Sequence, residues 1–169
     1  MSSQQKLIPI PQPPMQQQIY EQLYHQAKSL IEGETNEIGT LANLSALLKS
    51  AFPDRFFWVG FYLVKDDQLL LGPFQGSVAC YRIKYGKGVC GSCWQRGETI
   101  IVDDVEQFPG HIACSALSRS EIVVPVWSVS GHQVVAVLDI DSTSLSAFNE
   151  ADRAGLERIC SLIKLSQLL

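Results

Sequence analysis

The segment Phe56-Phe57-Trp58-Val59-Gly60-Phe61-Tyr62-Leu63-Val64 marks the point where the chain changes from a helical pattern to a strand pattern. Its aromatic and β-branched side chains are typical of a strand. A polar turn at residues 65–68 separates it from the apolar residues 69–71, which predicts a β-hairpin. The middle of the chain is therefore expected to be rich in strands.

Further strands are predicted on the C-terminal side of this segment. Residues 121–127 and 133–141 form the two clearest apolar runs, and they are joined by Ser128-Val129-Ser130-Gly131-His132. Shorter strands are predicted near 80–83 and at 99–102, with a short helix between them at 91–96 that Gly97 stops. Residues 105–120 are expected to form loops with short helical turns.

Helical spacing of apolar residues flanks this strand-rich region on both sides. One helix is predicted over 15–32, and a second begins at Thr35, whose hydroxyl is expected to cap its first turn. Asn149 is expected to cap a closing helix that runs to about Leu168. This order of elements predicts an α+β fold, with a central antiparallel β-sheet and helices mainly on one side of it.

Composition limits the classes of partner. The 169 residues suit one domain, expected over 15–169, after a Gln-, Ser- and Pro-rich tail at 1–14 that is expected to be disordered. The net charge of -4 and the absence of a Lys/Arg-rich run argue against nucleic acid or an anionic membrane as partner. No signal peptide or membrane-spanning apolar run is evident, so a cytoplasmic location is expected.

Three carboxylates are candidates for one site. Asp139 and Asp141 point to the same face of their predicted strand, because side chains alternate along a strand. A three-residue loop centred on Gly131 would put Glu121 opposite Asp141 on that face, whereas a two-residue turn at Ser130 and Gly131 would turn Glu121 to the other face. Crowded carboxylates need a cation or a shared proton, so they suit an ammonium ligand or a general acid. A solvent-facing position, or a turn-capping role for Asp141, is the structural alternative.

The five cysteines divide into different expectations. An odd number of cysteines in a reducing compartment argues against a framework of structural disulfides. Cys160 lies on the apolar closing helix and is expected in the core. Cys90-Gly91-Ser92-Cys93 is by itself weak evidence for a redox pair or zinc, and no second pair completes a metal site, so no bound metal is expected.

Cys80, Cys90 and Cys114 follow or lie in glycine-punctuated segments, where buried core residues are less expected. His111 precedes Cys114 by three residues, and a nearby imidazolium would lower a thiol pKa. The residues themselves leave a redox or nucleophilic role and a structural role both open.

Several motifs in the same order resemble one known family, the free methionine-(R)-sulfoxide reductases, which are single GAF domains. The resemblance covers nearly the whole chain after residue 15. The motifs are Trp58-Val59-Gly60-Phe61-Tyr62, Gly72-Pro73-Phe74-Gln75-Gly76 with Cys80, Gly86-Lys87-Gly88-Val89-Cys90-Gly91, Gly110-His111-Ile112-Ala113-Cys114, Ser120-Glu121-Ile122-Val123 and Val137-Leu138-Asp139-Ile140-Asp141-Ser142.

The resemblance implies a reaction and a role for each matched residue. Cys114 matches the thiol that attacks the sulfoxide sulfur and becomes a sulfenic acid. Cys80 and Cys90 match the thiols that resolve it as a disulfide. Glu121, Asp139 and Asp141 match the acidic cluster that holds the substrate and assists protonation of the sulfoxide oxygen. Trp58 and Tyr62 match aromatic residues near the pocket.

The resemblance further implies free methionine-(R)-sulfoxide as substrate and no bound cofactor. It implies thioredoxin as the external reductant, itself recycled by NADPH and thioredoxin reductase, and it suggests a homodimer. Two alternatives remain at this level. A non-catalytic GAF sensor would bind a small ligand without turnover, and a general dithiol oxidoreductase would use Cys90 and Cys93.

Overall fold

A computed structural model describes Pro9 and residues 12–166 of the chain. Most of the predicted disordered tail therefore lies outside the described residues. The described helices are α1 (Pro13–Ile31), α2 (Glu37–Ala51), α3 (Gly88–Arg96) and α4 (Glu150–Cys160), with a 3-10 turn at Val105–Gln107. The strands are β1 (Trp58–Lys65), β2 (Gln68–Gln75), β3 (Arg82–Lys84), β4 (Ile100–Val102), β5 (Ser120–Trp127) and β6 (Val134–Ser142).

The six strands form one antiparallel sheet in the order β3-β2-β1-β6-β5-β4. This confirms the predicted α+β class. The aromatic strand β1 lies in the interior of the sheet, between β2 and β6. Its hairpin to β2 turns at Asp66 and Asp67, which both take the left-handed conformation that tight hairpin turns require. The most aromatic stretch of the sequence thus becomes the middle of the sheet.

The two faces of the sheet have different partners because side chains alternate along β1. Val59 and Phe61 belong to a large core shared with α1, α2 and α4. Trp58 and Tyr62 point to the opposite face. There they belong to a second core that includes Val89 and other buried residues of α3. Three helices therefore cover one face, and the single short helix α3 leaves room for a cavity on the other.

A buried polar cluster joins α1, α4 and the residues before β1. Arg55 makes two hydrogen bonds of 2.8 Å to the carboxylate of Asp152, which is fully buried. The same carboxylate accepts from Tyr20 and Gln16 of α1 at 2.7 and 2.8 Å. It also accepts from the backbone N–H of Asn149, which completes a capping box at the start of α4.

Three predicted helix limits are corrected. The cap of α2 is Asn36, whose side-chain oxygen accepts from the Gly39 N–H at 2.9 Å, and Thr35 lies outside the helix. The helix α3 begins at Gly88, earlier than predicted, so Cys90 is helical and not on a loop.

The third correction concerns α4, which ends at Cys160 rather than near Leu168. The apolar residues at 162, 163 and 165 are at least partly buried, with Ile163 and Leu165 both in the core. These apolar side chains pack against the core from a non-helical segment. Helical spacing of apolar residues alone does not distinguish such a segment from the end of a helix. None of the helices in the described part of the chain is long and apolar enough to cross a membrane.

Candidate active site

A small cavity of about 40 Å³ lies on the α3 face of the sheet. Its walls come from β1, β5 and β6, from the start of α3, and from the segments before β3 and before β5. Nearly all predicted site residues line it, namely Trp58, Tyr62, Cys90, Cys114, Glu121, Asp139 and Asp141. Cys80 is joined to this group through its bond to Cys114.

Strand register brings the three carboxylates together. Glu121 of β5 pairs with Asp141 of β6, and Asp139 lies two residues earlier on the same face. This is the register that a three-residue loop centred on Gly131 predicts. The observed connection is longer, and a bulge between Val126 and Trp127 preserves the alignment. Glu121 and Asp139 are buried, while Asp141 keeps partial access to solvent at the pocket.

The electrostatics of this cluster favour protonated carboxyl groups. Desolvation raises the pKa of Asp139 to about 6 and is also the main cause that raises the pKa of Glu121 and of Asp141. Repulsion from Asp139 raises the pKa of the other two further. The Oδ1 atom of Asp139 is buried and has no hydrogen-bond partner among the residues that the structure describes. Such an atom in a pocket is suited to receive a donor or cation from a ligand.

Cys80 and Cys114 form a disulfide between segments that are 34 residues apart in sequence. Their Cα atoms are 5.5 Å apart. Cys80 lies between β2 and β3, and Cys114 lies in the loop that precedes β5, so the bond joins two irregular segments beside the cavity. Two of the three thiols that glycine punctuation singled out are thus directly linked.

His111 also lines the cavity, but its segment does not form the helix that would make it a helical neighbour of Cys114. Desolvation lowers the pKa of His111. The imidazole is therefore neutral near pH 7, so it provides a base or hydrogen-bond partner and not the positive charge expected from sequence.

Cys90 and Cys93 are not arranged as the redox pair or zinc pair that their spacing in sequence raised. Cys90 is buried in the first turn of α3, with its Sγ 3.9 Å from Glu121 Oε1. Cys93 is fully buried one turn later, and its Sγ donates to the carbonyl of Val123. Burial raises the pKa of both thiols. Cys160 is also buried, as predicted.

Aromatic side chains form one wall of the cavity. The indole of Trp58 stacks on Tyr62 and on Phe74, with centroid distances of 6.0 and 5.2 Å. Its Nε1 donates to the carbonyl of Ser77, and the Tyr62 hydroxyl donates to the carbonyl of Cys80 at 3.0 Å. These bonds fix both rings and also hold the segment that carries Cys80.

Sequence reasoning did not single out Gly60 and Ser118. A Cβ atom on Gly60 would lie 2.4 Å from the Phe74 Cβ and 2.5 Å from Cη2 of the Trp58 ring. Gly60 is therefore the position that lets the indole lie close against β1. Its place between two aromatic residues was the available signal. Ser118 is buried and lines the cavity together with Asp141, and nothing in its local sequence indicated this.

Comparison with known proteins agrees with this geometry. Residues 44–165 match the model of the GAF domain family. The chain is 52% identical over 145 residues to GAF domain-containing protein A of Dictyostelium discoideum, covering 85% of this chain and 89% of that one. It is 46% identical over 147 residues to free methionine-R-sulfoxide reductase of Escherichia coli, covering 87% of each.

Among solved structures, the chain resembles free methionine-R-sulfoxide reductase from Neisseria meningitidis in complex with its substrate. The TM-score is 0.83 at 46% identity, and the match covers 88% of this chain and 87% of that one.

Proposed function

Because the chain belongs to the GAF-domain family and, within it, to the free methionine-(R)-sulfoxide reductases, we propose a thiol mechanism for its reduction of free methionine-(R)-sulfoxide. In this mechanism Cys114 attacks the substrate, Cys80 resolves the intermediate, and thioredoxin restores both thiols. The observation that supports it best is the Cys80–Cys114 disulfide beside a pocket with three clustered carboxylates.

Substrate selection follows from charge in the pocket. Glu121, Asp139 and Asp141 offer negative charge to the ammonium group of a free amino acid, and Asp139 Oδ1 has an unused acceptor site. A peptide-linked methionine sulfoxide has no such ammonium group, so it would leave these carboxylates unpaired. The apolar rings of Trp58 and Tyr62 suit the S-methyl end of the side chain.

The proposed chemistry balances two electrons. The Cys114 thiolate attacks the sulfoxide sulfur while a carboxylic acid delivers a proton to the oxygen, since that oxygen is otherwise a poor leaving group. The hydroxyl group then moves from the substrate sulfur to the Cys114 sulfur while the bond between the two sulfurs breaks, so that methionine leaves and Cys114 becomes a sulfenic acid. The Cys80 thiol then attacks the Cys114 sulfur, water leaves, and the disulfide forms. The sulfoxide is reduced and the two thiols are oxidised.

The raised pKa values support a protonated acid in the site. Glu121 and Asp141 both have pKa values above the ordinary range because of burial and of the neighbouring Asp139 charge. One of them can therefore hold a proton near neutral pH and donate it. We assign this acid role to Glu121 or Asp141, and the ammonium-binding role to the cluster with Asp139.

Cys90 takes a supporting part in this proposal. It is buried in α3 and free while Cys80 and Cys114 are bonded, and desolvation raises its thiol pKa. A thiol in that state is a weak nucleophile. Thioredoxin would attack the Cys80–Cys114 disulfide, both of whose cysteines remain partly exposed.

The test is an assay of NADPH consumption with thioredoxin, thioredoxin reductase and either epimer of free methionine sulfoxide. The R-epimer should be reduced and the S-epimer should be inert. Cys114→Ser should abolish turnover, and Glu121→Gln should lower kcat/KM by roughly 10²-fold or more if Glu121 is the acid.

Cys93→Ser is the matched control, because this thiol lies on the same helix as Cys90 but is bonded to the Val123 carbonyl, away from the disulfide. It should keep activity. Loss of turnover in Cys93→Ser with retention in Cys114→Ser would favour the alternative dithiol oxidoreductase. Binding of methionine sulfoxide without turnover by any reductant would favour the sensor alternative. The predicted homodimer and the cytoplasmic location stay predictions.

A further inference from the structure

The cluster around the buried end of the pocket contains a thiol as well as carboxylates. Sγ of Cys90 and carboxylate oxygens of Glu121 and Asp139 all lie within 4.8 Å of one another, and all three residues are buried. Cys90 is not part of the disulfide, and the proposed reaction gives it no chemical step. We propose that these three side chains form a binding site for a divalent cation of borderline softness, such as Zn²⁺.

The spacing of the ligand atoms fits such an ion. With Zn–S and Zn–O bonds of about 2.3 and 2.0–2.2 Å, tetrahedral coordination separates sulfur from oxygen by about 3.6 Å. Cys90 Sγ and Glu121 Oε1 are 3.9 Å apart, within a few tenths of an ångström of that value. The other two ligand-atom separations are at most 4.8 Å, so side-chain rotation has to shorten any of them that exceeds the tetrahedral value.

The composition of the site favours one class of metal. A thiolate selects zinc and similar ions over Mg²⁺ or Ca²⁺, which prefer oxygen ligands alone. Three protein ligands leave a fourth position open for water. This donor set differs from the Cys90–Cys93 pair that the sequence spacing first raised, because the Cys93 thiol is directed to the Val123 carbonyl.

A second observation, on the carboxylate of Asp139, indicates that a cation is required at this site. Asp139 is only 7% exposed, and its buried Oδ1 atom finds no hydrogen-bond partner in the described part of the chain. An ionised carboxylate in this position is costly unless a cation approaches it. The substrate ammonium group would meet this requirement during turnover, and a metal ion can meet it when no substrate is present.

The pocket has room for the metal in the disulfide-bonded protein. A cavity of about 40 Å³ accommodates an ion with its bound water. The disulfide-bonded protein has no free Cys114 thiol, so metal binding can be measured in it without turnover. Metal binding does not depend on catalysis, so this inference can fail or succeed separately from the proposed function.

Binding must release protons, because a metal takes thiolate and carboxylate ligands. The Cys90 thiol loses a proton when its S–metal bond forms, and any protonated Glu121 or Asp139 does the same. The charged groups facing Cys90 are Glu121, Asp139 and Asp141, all of which lie on the strands packed against α3. Affinity should consequently rise as pH increases.

The experiment uses the full-length protein with the Cys80–Cys114 disulfide formed, so that neither of those sulfurs can be a ligand. Titration with Co²⁺ should produce a sulfur-to-cobalt charge-transfer band in the near ultraviolet. Zn²⁺ should displace the bound Co²⁺ and abolish this band at one Zn²⁺ ion per chain. Calorimetry with Zn²⁺ in two buffers of different ionisation enthalpy should detect the released proton.

Variants identify the ligands. Cys90→Ser should lose the charge-transfer band, and Asp139→Asn should weaken Zn²⁺ binding at least tenfold. Cys93→Ser is the matched control and should keep both. Circular dichroism and thermal melting establish that each variant is folded. If Cys90→Ser is unfolded, the weakened binding of Asp139→Asn decides the matter.

The proposal is overturned if the oxidised protein shows no charge-transfer band, if folded Cys90→Ser keeps the band, or if Cys93→Ser loses it. Equal affinity of Asp139→Asn and the wild-type protein for Zn²⁺ would also overturn it.

Discussion

At the scale of the residue, the main feature of the pocket is a group of carboxyl side chains whose burial disfavours their charged form. Asp139 and Glu121 are buried beside each other, and desolvation is the largest cause that raises the pKa of each. A site of this kind sacrifices stability to gain ligand affinity, because the charges become favourable only when a cation enters. The cost should be measurable in the free energy of unfolding.

Asp139→Asn tests that cost. The pKa of Asp139 is raised from its ordinary 3.8 to about 6, so its protonated form is favoured by folding. The stability this provides is complete below about pH 4 and is lost as pH rises through about 6. Asn cannot ionise, so the variant should show a flatter decline of unfolding free energy between pH 4 and 7. It should also be more stable than the wild-type protein at pH 7.5, while losing activity.

The measurement is urea denaturation of the oxidised, substrate-free protein at several pH values. A pKa unit corresponds to about 1.4 kcal/mol, so the difference between the two pH profiles should be on the order of 1–3 kcal/mol. Asp103→Asn serves as the control, since that carboxylate is exposed. Parallel pH profiles for the wild-type protein and Asp139→Asn would contradict the argument.

At the scale of the element, a buried ion pair joins α4 to the segment before β1. The carboxylate of Asp152 on α4 receives hydrogen bonds from Arg55, from Tyr20 and Gln16 of α1, and from the cap of its own helix. The two helices also approach closely, because Gly155 has no Cβ where the Tyr20 ring lies. Loss of the charge on Asp152 would leave Arg55 buried and unpaired.

Asp152→Asn should therefore destabilise the protein by about 3–5 kcal/mol, the usual cost of removing one partner of a buried pair. Urea denaturation at neutral pH gives the value. Glu150→Gln is a control on the same helix turn, because Glu150 pairs with Arg153 on the surface and is 79% exposed; it should change stability by about 0–1 kcal/mol. A similar small effect for Asp152→Asn would show that Arg55 finds other partners.

At the scale of the whole molecule, the Cys80–Cys114 disulfide joins two irregular segments beside the pocket. These segments have few backbone hydrogen bonds, among them Leu71 N to Tyr81 O and Cys114 N to Ile112 O. The disulfide holds both segments at the pocket, which Cys114 lines. We expect reduction of the disulfide to release these segments so that the substrate can enter.

Hydrogen–deuterium exchange of the oxidised and reduced protein measures this release. Exchange should become faster on reduction at residues 76–81 and 108–118. Peptides from α1 and α4 around Asp152 should not change, because their contacts do not involve the disulfide. Unchanged exchange at both loops would mean that the pocket opens in another way.

Much of the fold and the site could be read from sequence. The strand β1 and the pair β5–β6 follow from alternating apolar and β-branched residues, and the resemblance assigned Cys80, Cys114 and the three carboxylates to one site. The errors concern limits and local context. Thr35 and Asn36 are both good caps, and only the backbone decides between them; α4 stops at Cys160 although its apolar spacing continues.

The amino-acid sequence by itself determined the elements, their order and the face to which Asp139 and Asp141 point, because these depend on periodicity along a single segment. Tertiary structure alone decided that Glu121 joins them, since the pairing of β5 with β6, with Val135 of β6 left over at a bulge, sets the register. It also decided that Cys90 is buried against Glu121 while Cys93 bonds the Val123 carbonyl. It further decided that Cys80 and Cys114 meet in a disulfide beside the pocket. These properties depend on distances between segments far apart in the chain, which no local pattern encodes.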